Sequence, residues 1–128
     1  MEPKNGYASD SDPLAACVSY YPSIRIPMGA NQSLDAVAMA ADIQCPVQLI
    51  HAGADRVFVP EAFAKVREAL EPREAATVVQ IHPGAAHSFM RPDLQSVPAN
   101  ALATRLSWPQ ALAFLESCLA QRTAAVPA

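Results

Sequence analysis

Glycine is scarce in this chain, and its scarcity excludes more chemistry than any residue present. The 128 residues include four glycines, Gly6, Gly29, Gly53 and Gly84, all far apart. A nucleophile elbow of the form Gly-x-Ser-x-Gly or Gly-x-Cys-x-Gly, in which glycines let strand and helix approach across a strained turn, cannot be written anywhere. Glycine-rich phosphate and dinucleotide loops fall by the same count. Charge is sparse too: Asp, Glu, Lys and Arg make up 16% of the residues, the net charge is -3, and the nine Lys and Arg are scattered. That is the opposite of the basic patch a nucleic acid requires, so no nucleic-acid partner is expected. No apolar stretch approaches the roughly 20 residues that span a bilayer. The start, Met1 to Gly6, is polar and carries no apolar leader core, so no membrane association is expected either.

Cysteine is limited to Cys17, Cys45 and Cys118, each among apolar neighbours and without a Cys-x-x-Cys pair. No metal-site spacing links them to His51, His82 or His87. Inert buried thiols in a reducing, cytoplasmic compartment are the expectation, with no metal and no cofactor.

Hydrophobic residues make up 52% of the chain, enough for a single domain with a substantial core. Residues 1–12 are polar and turn-rich and read as a flexible N-terminus. Residues 13–122 read as the domain, and 123–128 as an alanine-rich flexible tail. Leu14 to Tyr21 is a continuous apolar run closed by Pro22, as expected of a strand buried on both faces. Ser33 is placed to cap a short helix through about Ala41. A second buried strand, Val47 to Ala52, follows Pro46. Pro60 opens a helix with Phe63, Val66 and Leu70 on one face, stopped at Pro72. Thr77 to His82 is a third strand. The last element runs from about Ala99 to Arg122, with Pro109 predicting a kink or a restart at Ser107, where Ser107-Trp108-Pro109-Gln110 has capping-box spacing. Strand alternating with helix implies right-handed crossovers and an α/β fold of about three parallel strands with flanking helices.

Ligand and catalytic groups of open α/β sheets gather beyond the carboxyl ends of the strands. Asp55 follows the second strand directly after Gly53-Ala54. Taken alone it reads first as a turn or cap residue. His87 follows the third strand past Pro83-Gly84, and taken alone reads as a surface or packing histidine. Taken together, an acid and then a histidine on successive strand ends stand in the order of the second and third members of a catalytic triad. The acid would fix the imidazole tautomer and the imidazole would act as general base. His51 and His82, within or closing strands, read as structural.

These residues carry a specific resemblance. Cys45-Pro46-Val47 leading into Gly53-Ala54-Asp55, then Val59-Pro60, then Pro83-Gly84-Ala85-Ala86-His87-Ser88-Phe89 resemble the C-terminal half of the dienelactone hydrolase family, α/β-hydrolases with a Cys-Asp-His triad. The likeness extends from about residue 14 to 120. It implies Asp55 as triad acid and His87 as triad base. It also implies Arg91, four residues after His87, as an anchor for a substrate carboxylate, the alternative being an ordinary surface arginine. The loop after Asp55 is one residue longer than the family pattern. The activity implied is hydrolysis of a small-molecule lactone or ester, with the nucleophile supplied from outside these residues. The competing expectation is a non-catalytic module that self-associates through the unpaired edge of its first strand.

Overall fold

The computed structural model describes residues 14–25 and 35–125. The elements are β1 (Cys17–Tyr20), α1 (Ala36–Ala41), β2 (Val47–Ala52), α2 (Pro60–Leu70), β3 (Thr77–His82), a single 3₁₀ turn (Pro92–Leu94) and α3 (Pro98–Ala125). The strands form one parallel sheet in the order β1-β2-β3, with Cys17 level with Val47 and Val47 level with Thr77. All three carboxyl ends therefore emerge along one edge, where Asp55 and His87 follow.

β2 is central, and each of its six residues is buried. Its alternating side chains feed two cores. Val47 and Leu49 pack with Phe58 and with Ala62, Phe63, Val66 and Leu70 of α2. Ile50 and Ala52 pack on the other face with Phe89, Ala85, Ala103 and Ala111. Ala103 and Ala111 are small, which lets α3 lie close to the sheet. Burying each large side chain of these clusters stabilises the fold by about 1.5–3 kcal/mol relative to leaving it in water. At the amino ends of the strands Arg73 clamps the sheet from below. Its guanidinium donates to the carbonyls of Ile43 at 2.7 Å and Cys45 at 2.8 Å, and to Thr77 Oγ1 at 3.0 Å.

Several local expectations give way. β1 is half-buried throughout, not enclosed on both faces. It is an edge strand, and among the described residues no strand covers its outer side. The cap of α1 is Asp35, whose Oδ1 accepts from the Ala38 N–H at 3.1 Å. Ser33, expected in that role, lies outside the described residues, as do residues 1–13 and 126–128, which take in all of the expected flexible N-terminus and the end of the expected tail. Cys45 is buried, but Cys17 and Cys118 are only half-buried, and all three are free thiols.

The largest correction concerns α3, which runs unbroken through Pro109. The proline is exposed, and so is Arg105, the residue whose carbonyl it leaves without a helical donor. In the next turn the Gln110 side chain donates to the Leu106 carbonyl at 2.8 Å. Ser107 does not restart the helix. It is fully buried, and its hydroxyl accepts from Tyr20 Oη at 2.9 Å, tying α3 to the tip of β1.

Candidate active site

Two loops meet at the carboxyl edge of the sheet because glycine lets them. The Gly53 N–H donates to the His82 carbonyl at 2.8 Å and the Ala54 N–H to the Ala85 carbonyl at 2.9 Å. These bonds carry the β2–β3 pairing past the strand ends. A Cβ at Gly53 would stand 2.9 Å from both the His82 carbonyl oxygen and the Pro83 Cα, closer than side chains pack, so only glycine allows the approach. Gly84 turns the second loop with φ +76°, a left-handed conformation suited to glycine.

Asp55 is thereby held with its carboxylate fully buried. Oδ1 accepts from the Val57 N–H at 2.7 Å and the Phe58 N–H at 2.8 Å. Oδ2 faces His87 Nδ1 at 2.8 Å. The turn-forming role and the pairing role are thus both filled, one by each oxygen. A carboxylate can only accept, so His87 Nδ1 carries the proton and Nε2 of the neutral ring is left as an acceptor. The ring is about a quarter exposed, at 24%. Against Nε2, at 3.3 Å, stands the hydroxyl of Ser23, from the loop after β1. Tyr21 closes one side of the imidazole, edge-on at 5.4 Å, and is itself stacked on Phe89 at 5.0 Å.

The His87 loop is anchored by the start of α3. The buried Asn100 accepts from the Ala86 N–H at 2.9 Å and donates to the Leu94 carbonyl at 3.1 Å. Gln95 donates to the Phe89 carbonyl at 2.6 Å. Sequence reasoning missed Asn100 and Ser23. No motif marks Asn100. Ser23 had one visible signal, its position on a strand-end loop ahead of Asp55 and His87.

The dienelactone hydrolase family model matches residues 6–119. The chain belongs to the dienelactone hydrolase family. It is 28% identical over 83 residues to a protein named as a carboxymethylenebutenolidase in Escherichia coli O157:H7, an alignment covering 65% of this chain and 31% of that protein. Its fold is similar to the crystal structure of a Klebsiella pneumoniae protein named as a dienelactone hydrolase, with a TM-score of 0.64 at 20% identity, over 79% of this chain and 41% of that one. The chain thus spans less than half the length of either. The three-stranded parallel sheet and its helices are part of an α/β-hydrolase fold.

Arg91 lies on the surface, with its guanidinium fork engaged by Asp93 through Nε at 3.1 Å and a second nitrogen at 2.8 Å. His51 and His82 are buried outside the Asp55–His87 contact. His51 stacks on Phe63 at 4.1 Å, and His82 Nε2 meets Gln80 Oε1 at 3.1 Å. Burial lowers the pKa of each below the usual imidazole value, for His51 against a smaller opposing pull from the Asp55 charge. Burial pushes the Cys17 thiol up, which keeps it protonated and a poor nucleophile. Among the described residues no cluster of three His, Cys, Asp or Glu side chains is placed to hold a metal ion, and no helix is long and apolar enough to cross a membrane.

Proposed function

We propose that this chain carries the acid and the base of a hydrolytic site for carboxylic esters or lactones of the dienelactone hydrolase type. Asp55 holds His87 in one tautomer and stabilises its imidazolium, and His87 takes the proton of the nucleophile and returns it to the leaving oxygen. The observation that carries this reading is the 2.8 Å contact from His87 Nδ1 to a carboxylate whose other oxygen is already fixed by two backbone N–H groups. An acid so constrained is a preorganised partner for the charge that develops on the ring. Arg91, once drawn off Asp93, is within the base loop and is the anchor we assign to an anionic substrate. The elbow nucleophile of the family has no counterpart within these residues, and a complementary segment supplying it is the first partner to expect.

A chromogenic aryl ester tests the pair. With a segment that supplies the nucleophile present, turnover should drop to the buffer rate in His87→Ala and fall about 10⁴-fold in Asp55→Asn, which leaves the ring in the wrong tautomer. Equal rates in wild type and His87→Ala would end the proposal. The outer side of β1, which no strand covers among the described residues, supports a second reading, a module that pairs with another copy through that edge. Sedimentation of a stable monomer at high concentration would count against it.

A further inference from the structure

The base of the site has a partner already. Asp55 fixes the proton on Nδ1, so the lone pair of His87 Nε2 faces the Ser23 hydroxyl, 3.3 Å away, and the hydroxyl is the donor. That separation is long for an O–H···N bond, but nucleophile–base contacts are often loose before substrate binds. Ser23 is exposed, so a substrate can reach it. It is also aimed. Tyr21, two residues before, is pinned by its N–H on the Ile50 carbonyl at 2.8 Å and by its stack on Phe89. Pro22 then fixes the next φ. Among the described residues, non-glycine positive φ occurs at Tyr21 (32°), two residues before Ser23, and at Ser88 (62°), next to His87. Strain of that kind gathers where side chains are held for function.

We propose that Ser23 is the nucleophile of a Ser–His–Asp arrangement contained within this chain, acting on activated carboxylic esters. The proposal rests on the reading of Asp55 and His87 above and goes beyond it, because no elbow and no second segment is required. The order Ser23, Asp55, His87 along the chain is that of the α/β-hydrolase triads, although the serine follows a different turn. Ser23 Oγ attacks the ester carbonyl carbon while its proton passes to His87 Nε2. The tetrahedral adduct collapses, the bond to the alcohol oxygen breaks, and Nε2–H protonates the departing alcohol, leaving an acyl ester on Ser23. Water then attacks that ester and gives a proton to Nε2. The acid is released, and Ser23 recovers its hydrogen. Without elbow amides the rate should be low, and the covalent intermediate is the better readout.

The test uses the full chain with p-nitrophenyl acetate and with a fluorophosphonate probe, the adduct being located by peptide mass spectrometry. We expect a single adduct on Ser23, absent in Ser23→Ala and His87→Ala, with turnover at least tenfold lower in Ser23→Ala at an unchanged Tm. Ser23→Cys should restore acylation, with a pH profile that shifts towards thiolate ionisation. Ser23→Ala retaining full His87-dependent turnover, or an adduct on His87 or another residue, would overturn the assignment and leave the acid–base pair standing. No adduct on Ser23 and no His87-dependent turnover by the chain alone would remove the Ser23 assignment, and no His87-dependent turnover with the complementary segment present as well would remove both.

Discussion

The acid loop and the base loop face each other across a few ångströms yet are built by opposite means. Apart from the contact with His87, residues 53–59 hold Asp55 through main-chain bonds: two N–H groups on one oxygen, and loop-to-loop bonds from Gly53 and Ala54. Residues 83–91 hold His87 through side chains contributed from elsewhere, with Asn100 and Gln95 reaching in beside the start of α3 and Tyr21 leaning on the ring. The acid is saturated and buried, while the base keeps one nitrogen towards the open side. A carboxylate has to be stripped of water to bias a ring, and a base has to meet substrate. The contrast is what the two proposed duties would require.

The contrast can be broken most sharply at Asp55. Asp55→Ala should abolish His87-dependent turnover and also destabilise by about 1–3 kcal/mol in urea unfolding, since two N–H groups lose their acceptor. Asp55→Asn keeps an oxygen for those N–H groups and should cost turnover with little stability. Equal destabilisation by both would show that the charge, not the turn, holds the loop. Gly53→Ala should cost about 1–3 kcal/mol, because its Cβ meets backbone that has no rotamer to yield. It acts on both loops at once, so it should also lower the rate. Asn100→Ala should cost about 1–2 kcal/mol and loosen only the base loop, visible as faster amide exchange at Ala86 with Val57 and Phe58 unchanged.

Smaller effects come from outside the pair. His51 and His82 have folded pKa values below the usual imidazole 6.5. Below pH 6.5 the unfolded chain therefore binds more protons than the folded one, and stability falls with pH until the folded values are passed. Urea midpoints between pH 7.5 and pH 5 should show this fall, and His51→Leu should flatten part of it. Arg91→Ala should change stability by no more than about 0.5 kcal/mol, since its pair with Asp93 is exposed. A larger loss would mean that the arginine supports the base loop.

What could be read from the sequence was local or periodic. β2 declared itself by an unbroken apolar run, and α2 by Pro60 with Phe63, Val66 and Leu70. Asp55 and His87 could be brought together because strand-end order in a parallel sheet places them side by side. What escaped depended on distant partners. Pro109 carries a local rule against helix, overridden because it lies on the exposed side and α3 gains from packing Ala103, Ser107 and Ala111 as one face. Ser107 has capping spacing, yet its burial under Tyr20 decides its role. Arg73 gathers carbonyls from three segments, and Ser23 meets a histidine 64 positions away. Neither leaves a periodic trace.

The bond from Tyr20 to Ser107 joins positions 87 residues apart. In a folding chain such a closure costs conformational entropy that nearby contacts do not, so it is expected after β2, β3 and α2 have assembled. Tyr20→Phe should then speed unfolding and leave refolding nearly unchanged, a φ-value close to zero by stopped flow. Until that closure the tip of β1, with Tyr21 and Ser23, is loose while Asp55 and His87 are already opposed. On this sequence of events the serine reaches the histidine in the last step of folding, and partial unfolding would separate the two before it touched the acid.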